Sequence, residues 1–399
     1  MDYLFRGKIL KKNLLIILMI LIVVPLIIQS SSSAATPGIS SIHKGVSHVP
    51  NKNLIVSHIS VPLKGIKGCK IVVSNTIKNR GNTSYYSIWV NYYLKNIHSH
   101  AITYLGRNHS SNMAAGASKH HLTSLYISPK MNVGNYYLLT VLSTKKFVSK
   151  YNIGNNYRYT KKKIKIIGPE YIIFNSKIGG DVTRNSQIDS NIPKTDFAKT
   201  IFSQEKKGSV MLKFGDGHGP ILLISAGIHG NETAANIGIM KYLEYIKDKN
   251  IHGTLYVIPF AIPLDTELNT RFYKGIDPNR IANVKGSPAW KIVHFAKNKG
   301  IKYILDIHSG GGVTPEGYLY LNPSTTGSKE DKWVSYIANV SGCTKQVQPL
   351  GTGMLRTEAY NLGINTITLE VERDNTDMSI AAETELKMIM AACKYFKFQ

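Results

Sequence analysis

Two histidines and a glutamate in the C-terminal half stand where a chain can do chemistry. In "ISAGIHGNET", residues 224–233, an apolar run breaks at Ala-Gly and is followed by His229 and, three residues on, Glu232. In "YILDIHSGG" a second apolar run ends at His308, again followed by glycine. Two imidazole nitrogens and one carboxylate, brought together from neighbouring strand ends, can hold a catalytic zinc and leave one coordination position for water. Asp306 lies two residues before His308, on the same side of a strand, and is placed to orient the imidazole. The plainer alternatives are a buried Asp306 held by backbone amides, a loop-capping His229, and a Glu232 that merely opens the next helix at its positive end.

Two further stretches supply charge of the right kind. "RFYKGIDPNR" carries Arg271 and then Asn279 and Arg280 after an Asp-Pro turn. A guanidinium can grip a carboxylate through two parallel hydrogen bonds, which a lysine cannot imitate; the alternative is a pair of solvated surface arginines. "NTITLEVERD" places Glu370 and Glu372 two apart on an apolar strand. A carboxylate there is unfavourable unless paired or held near a cation, and beside zinc it can move protons. Glu370 is preferred because its surroundings are more apolar; Glu372 would then pair with Arg373 or a loop arginine.

Taken in order, these four stretches resemble the zinc carboxypeptidase superfamily, and within it the succinylglutamate desuccinylase/aspartoacylase branch. "GIHGNE" is similar to its first metal motif, "DPNR" to its Asp-x-Asn-Arg, "DIHSG" to its third-ligand strand and "TITLEV" to its catalytic strand. The resemblance runs from residue 206 to the C-terminus. It implies one zinc ion on His229, Glu232 and His308, with Arg271 polarising the scissile carbonyl. It also implies that Asn279 and Arg280 hold a substrate carboxylate and that Glu370 is the general base. The loop from Arg271 to Asp277 is one residue longer than the deacylase pattern. The tyrosine that carboxypeptidases bring over the substrate has three candidates here, Tyr318, Tyr320 and Tyr360.

The elements that must position these residues alternate. From about residue 206, strand-like "SVMLKF", "PILLISAG", "TLYVIPF", "KYILDIH" and "NTITLEVE" are interleaved with helix-like segments such as "TAANIGIMKYLEYIKD" and "SIAAETELKMIMAACKYF". That pattern predicts an α/β domain, a mixed and largely parallel sheet with helices on both faces, whose ligands bind at the C-terminal ends of the strands. Residues 58–166 have a different texture. "KIVVSNTI", "YYSIWVNYYL" and "YYLLTVLS" are punctuated by Gly/Asn turns and predict an all-β immunoglobulin-like sandwich. This stretch resembles the CARDB module of surface proteins, which implies a spacer or adhesion role. Residues 167–205 read as a connecting segment and 36–57 as a linker.

The N-terminus, residues 1–35, has basic residues, the apolar "LLIILMILIVVPLII" and then "QSSSSAATPG". This reads as a secretory signal peptide with cleavage after Ala34 or Ala35, or as an uncleaved N-terminal membrane anchor. Either places the rest outside the cytoplasm, secreted or at the cell surface. The chain has 399 residues, a formal charge of +25 and three cysteines, too few and too scattered for a disulfide framework; a Cys343–Cys393 bond is conceivable. The basicity suggests attraction to polyanions, whether nucleic acid, an anionic cell-surface polymer or lipid headgroups, the plainer alternative being a basic proteome or an acidic surrounding; no motif supports a specific nucleic acid. The expected activity is amide hydrolysis, on peptides or cell-wall peptides with a free carboxylate, or on N-acyl amino acids. The rival from another class is a catalytically silent adhesion protein.

Overall fold

The computed structural model describes residues 53–144, 156–323 and 327–398. The leader at 1–35 and most of the 36–57 linker lie outside these residues. The end of that linker is strand: Leu54–Ser60 forms β1, with Leu54 and Val56 buried in a core. Eight more strands follow to residue 167: β2 (Lys64–Ile66), β3 (Lys70–Asn79), β4 (Tyr85–Asn96), β5 (Ile102–Met113), β6 (Ser118–Tyr126), β7 (Gly134–Ser143), β8 (Tyr157–Tyr159) and β9 (Ile164–Ile167). One sheet has the order β1-β3-β6; the other has β2-β9-β7-β4-β5, with β8 paired to β7. The alternation in β4 sends Ile88, Val90, Tyr92 and Leu94 inward. There they meet Val73 and Ile77 of β3 in a single core. The buried Tyr92 hydroxyl donates to Asn75 Oδ1 at 2.5 Å, which satisfies it inside the core.

Residues 170–205 are not a connection. β10 (Glu170–Asn175) pairs antiparallel with β11 (Ser209–Phe214) and forms the margin of the second half's sheet. Helices α1 (Ser186–Asn191) and α2 (Asp196–Glu205) bury Ile188, Phe197 and Ile201 in that half's main core. Their Asn, Ser and Asp content, which suggested a loop, is partly capping: Asn185 and Thr195 accept the first free N–H groups of these two helices.

The remaining elements are β12 (Ile221–Ala226), α3 (Thr233–Ile246), β13 (Thr254–Ile258), α4 (Pro263–Glu267), α5 (Pro288–Asn298), β14 (Tyr303–Gly310), β15 (Tyr318–Leu321), α6 (Lys329–Ser341), β16 (Thr344–Val347), α7 (Leu355–Asn361), β17 (Asn365–Glu372) and α8 (Met378–Tyr395). They complete an eight-stranded sheet, β10-β11-β13-β12-β14-β17-β15-β16. Its centre, β13-β12-β14-β17, is parallel, while the β10–β11, β11–β13 and β15–β17 pairs are antiparallel. The sheet is therefore mixed, and the largely parallel expectation holds for its centre. Helices α3, α6 and α8 cover one face, packing on Leu222, Ile224, Leu305 and Leu369; α5 and α7 cover the other, on Leu223, Ile258 and Ile304. Burial on both faces explains the unbroken apolar runs of β12 and β14. Each such side chain contributes roughly 1.5–3 kcal/mol.

The two halves meet through the β2–β3 turn. The Thr200 hydroxyl donates to Gly68 O at 2.6 Å and bonds the Tyr126 hydroxyl at 2.9 Å, and Lys70 N donates to Asp196 Oδ2 at 3.2 Å. All three cysteines are free thiols, so the conceivable Cys343–Cys393 bond is absent. Burial pushes the Cys393 thiol up to about 12. Among the described residues no helix is long and apolar enough to cross a membrane.

Candidate active site

The C-terminal ends of β12, β14 and β17 are adjacent in the sheet, and each delivers chemistry. After β12 the chain turns at Gly227, φ +76°, where a Cβ would lie 2.5 Å from Asn236 Nδ2. It then passes His229 and enters α3 at Glu232. Glu232 occupies the N-cap position of α3 but makes no capping hydrogen bond; its carboxylate turns to the histidines instead. His229 Nδ1 is 2.7 Å from Glu232 Oε1, and His308 Nδ1 is 2.8 Å from Glu232 Oε2. One ligand atom from each of the three residues lies within 4.8 Å of the others, and all three residues are buried.

The second nitrogen of each imidazole is held by a carboxylate. His308 Nε2 lies 3.0 Å from Asp306 Oδ2, as the two-residue spacing predicts. His229 Nε2 lies 2.9 Å from Asp277 Oδ1. Asp277 is a residue the sequence reading passed over as part of a turn. It is in fact the partner of His229 and also accepts Asn279 N at 2.9 Å. A signal was present, since Asp277 is the first residue of the "DPNR" motif, but nothing in the spacing says that it reaches back 48 positions.

The carboxylates and imidazoles of the site hold one another in their charged forms. Burial pushes the Glu232 carboxyl up, and the two imidazoles more than reverse this, holding it well below the ordinary range. Burial also opposes the charge of His308, yet Asp306 and Glu232 together keep its proton on well above the usual imidazole value. Glu370 is beside His308 in the parallel register of β14 and β17. Its carboxyl is pushed up to about 7, by burial first and then by Glu232 and Asp306 against the opposing pull of the imidazoles. Arg271 Nη1 reaches Glu232 Oε1 at 2.9 Å and its Nη2 reaches Asp277 Oδ2 at 3.0 Å, so the longer loop does not keep it out.

These residues line a polar cavity of about 230 Å³, together with Asn279 and Arg280. Asn279 is buried, and its Oδ1 accepts Leu355 N at 2.7 Å, which leaves its NH₂ as the group able to meet a ligand. Arg280 is exposed and donates to Asn279 O at 2.8 Å. Arg356 on α7, to which no motif points, also lines the cavity. Its buried guanidinium donates to Asn322 Oδ1 and Gln348 Oε1, both at 2.7 Å, while its Nε has no partner. Glu372 is turned away to accept the backbone N–H groups of Val313, Asp374 and Asn375. The expected pairing of Glu372 with an arginine is therefore wrong, since Arg373 pairs with Asp374 at 2.8 Å. None of Tyr318, Tyr320 and Tyr360 lines the cavity.

Residues 218–389 match the family model of the succinylglutamate desuccinylase/aspartoacylase catalytic domain. Every site residue named above falls in that range, and the match supports a hydrolase for this part of the chain. The sheets at 54–167 lie outside it. No curated protein matches the chain. Among solved structures it is similar to tripeptide-bound cell shape determinant Csd4 from Helicobacter pylori, at 15% identity and a TM-score of 0.40, over 47% of this chain and 55% of that one. It is likewise similar to a succinylglutamate desuccinylase/aspartoacylase from Rhodobacter sphaeroides, at 16% identity and a TM-score of 0.39, over 47% and 58%. The chain thus spans little more than half the length of these two structures.

Proposed function

We propose that this chain is a zinc-dependent amide hydrolase whose substrate carries a carboxylate beside the scissile bond. The observation that supports it most is the convergence of His229 Nδ1, His308 Nδ1 and the Glu232 carboxylate, with Asp277 and Asp306 holding the far nitrogens. That pattern fixes the tautomer and direction of both rings. The donor set fits zinc, with the Glu232 carboxylate standing between the two imidazoles. Bound there, zinc would supply Lewis acidity, lowering the pKa of a water and polarising an amide carbonyl.

The chain's own residues then divide the work. Glu370 takes a proton from the attacking water on its carboxylate and returns it to the leaving nitrogen, so that amide and water become carboxylate and amine. A pKa near neutrality suits both transfers. Arg271 steadies the developing negative charge on the carbonyl oxygen. Arg280 and the Asn279 amide hold the substrate carboxylate.

Two substrate classes fit this chemistry. Read with a secretory or anchoring N-terminus and a CARDB-like, immunoglobulin-like module at 54–167, the substrate is a peptide or cell-wall peptide with a free carboxylate, met at the cell surface. An N-acyl amino acid is favoured by the deacylase family match and by the small cavity. The test is a panel of peptides with free or amidated C-termini and of N-acyl amino acids. Substrates with the free carboxylate should turn over, stop with chelator and recover with added zinc. Equal turnover of amidated peptides, or turnover indifferent to chelator, would contradict the proposal.

A further inference from the structure

The formal charge of +25 is not spread evenly. Residues 54–167 contain 17 lysines and arginines and no aspartate or glutamate, whereas residues 170–399 contain 26 against 23. The β-sheet half is a polycation and the α/β half is close to neutral. Within residues 54–167 no cation can find a carboxylate of its own module; Lys70 reaches Asp196 across the junction at 4.0 Å. A compact domain that forgoes every internal ion pair carries self-repulsion, which an anionic partner would relieve.

The charge converges with aromatic surface on one face. Lys95 of β4 and Tyr137 of β7 are cross-strand partners, as are Leu139 of β7 and Tyr159 of β8, so their side chains share the outer face of the sheet. Lys95, Tyr137 and Tyr159 line a cleft of about 530 Å³ with His100 and Lys161. Lys95 Nζ stands 5.4 Å from the centre of the Tyr159 ring. From the cleft an aromatic row runs along β4 and β5: the Tyr93 and Tyr104 rings meet in a tilted pair with centres 5.3 Å apart, and Trp89 further on is covered by Arg107 at 4.8 Å. Beside the cleft, Lys161, Lys162 and Lys163 lead into β9, where Lys165 stands between the buried Ile164 and Ile166, and all four lysines are exposed.

We infer that this face is a binding site for a polymeric anionic glycan, distinct from the hydrolytic centre. Phenol and indole faces take the apolar side of a sugar ring, and the amines take carboxylate or sulfate groups along the chain. At the cleft wall Asn96 Oδ1 is taken by the His98 and Ser99 N–H groups, which leaves the Asn96 NH₂ to meet a hydroxyl. A glycan is favoured over nucleic acid because no nucleic-acid motif accompanies the basicity and the leader-like N-terminus directs the chain outward. The site would hold the hydrolase on an extracellular polyanion while its own cavity stays free.

The test measures binding of the full chain to polygalacturonate, neutral dextran, poly(dT) and vesicles of phosphatidylcholine with phosphatidylglycerol. Polygalacturonate should bind, more weakly as salt rises through about 0.15 M, with dextran inert and the other two polyanions at least tenfold weaker. Lys161→Glu and Tyr159→Ala should each raise the dissociation constant by about tenfold or more. Lys161 is exposed and serves if Tyr159→Ala does not fold. His308→Ala should bind as wild type does, so this result is independent of the hydrolase reading. No binding of polygalacturonate, equal or tighter binding of poly(dT) or vesicles, or affinity unchanged in both variants would each overturn the inference.

Discussion

Asp277 and Asp306 each fix one imidazole of the His–Glu–His group at 2.9–3.0 Å. Asp277→Asn and Asp306→Asn should therefore each weaken zinc affinity by roughly 10–100-fold, read by competition with a chromogenic chelator. Loss of activity with affinity intact would show that the imidazoles orient themselves. Glu370 should act differently: Glu370→Gln keeps the metal and lowers kcat by roughly 10²–10⁴. Because the base works deprotonated, the wild-type rate should fall as pH drops through an acidic limb. That limb should lie at or below about 7, since a bound dication favours the carboxylate, and it should vanish in the glutamine variant. At this scale the sequence was legible where spacing constrains geometry. His229 with Glu232, Asp306 with His308, and Glu370 all stand at strand ends or on a single strand. Asp277 and Arg356 enter from loops and a short helix across the cavity, and no local pattern reports a contact made by folding.

The elements that place the site are tightly apposed. At Gly230, in the loop that carries His229, a Cβ would lie 2.0 Å from the Asp265 backbone carbon at α4. Gly230→Ala must displace the loop or α4, and should cost both zinc affinity and a few kcal/mol of stability. An alanine variant with unchanged metal binding and melting would show that the loop has slack. Behind the site, α8 buries Glu385 against α3, where neither carboxyl oxygen has a partner. Burial raises its pKa well above the ordinary value. Between the ordinary value, about 4.3, and the raised one, the unfolded chain releases a proton that the folded chain keeps. Stability must then fall as pH rises, by up to ~1.4 kcal/mol per pH unit for this group. Denaturant melts of Glu385→Gln against wild type should show a gap widening in favour of the variant above about pH 5, and a constant gap would contradict it. The alternation of strands and helices from residue 206 was readable because period and length both discriminate. β10, α1 and α2 were not: their polar content looked like a linker, and their apolar residues make sense only against a core supplied by later residues.

At the scale of the whole molecule, a near-neutral α/β half carrying the cavity is joined to a strongly cationic β half through the β2–β3 turn. The bulk charge hid this division, because a total says nothing of where the acids are missing. The hydrolase reading stands on the C-terminal half alone, and its stoichiometry is one ion per chain. Its most direct test is the zinc content of the purified full-length protein after equilibration with zinc and removal of the excess, for wild type and His308→Ala. The account predicts one zinc per wild-type chain and a variant that is folded by circular dichroism but largely empty. A variant that retains its full zinc, or a wild type that takes up none, would contradict it.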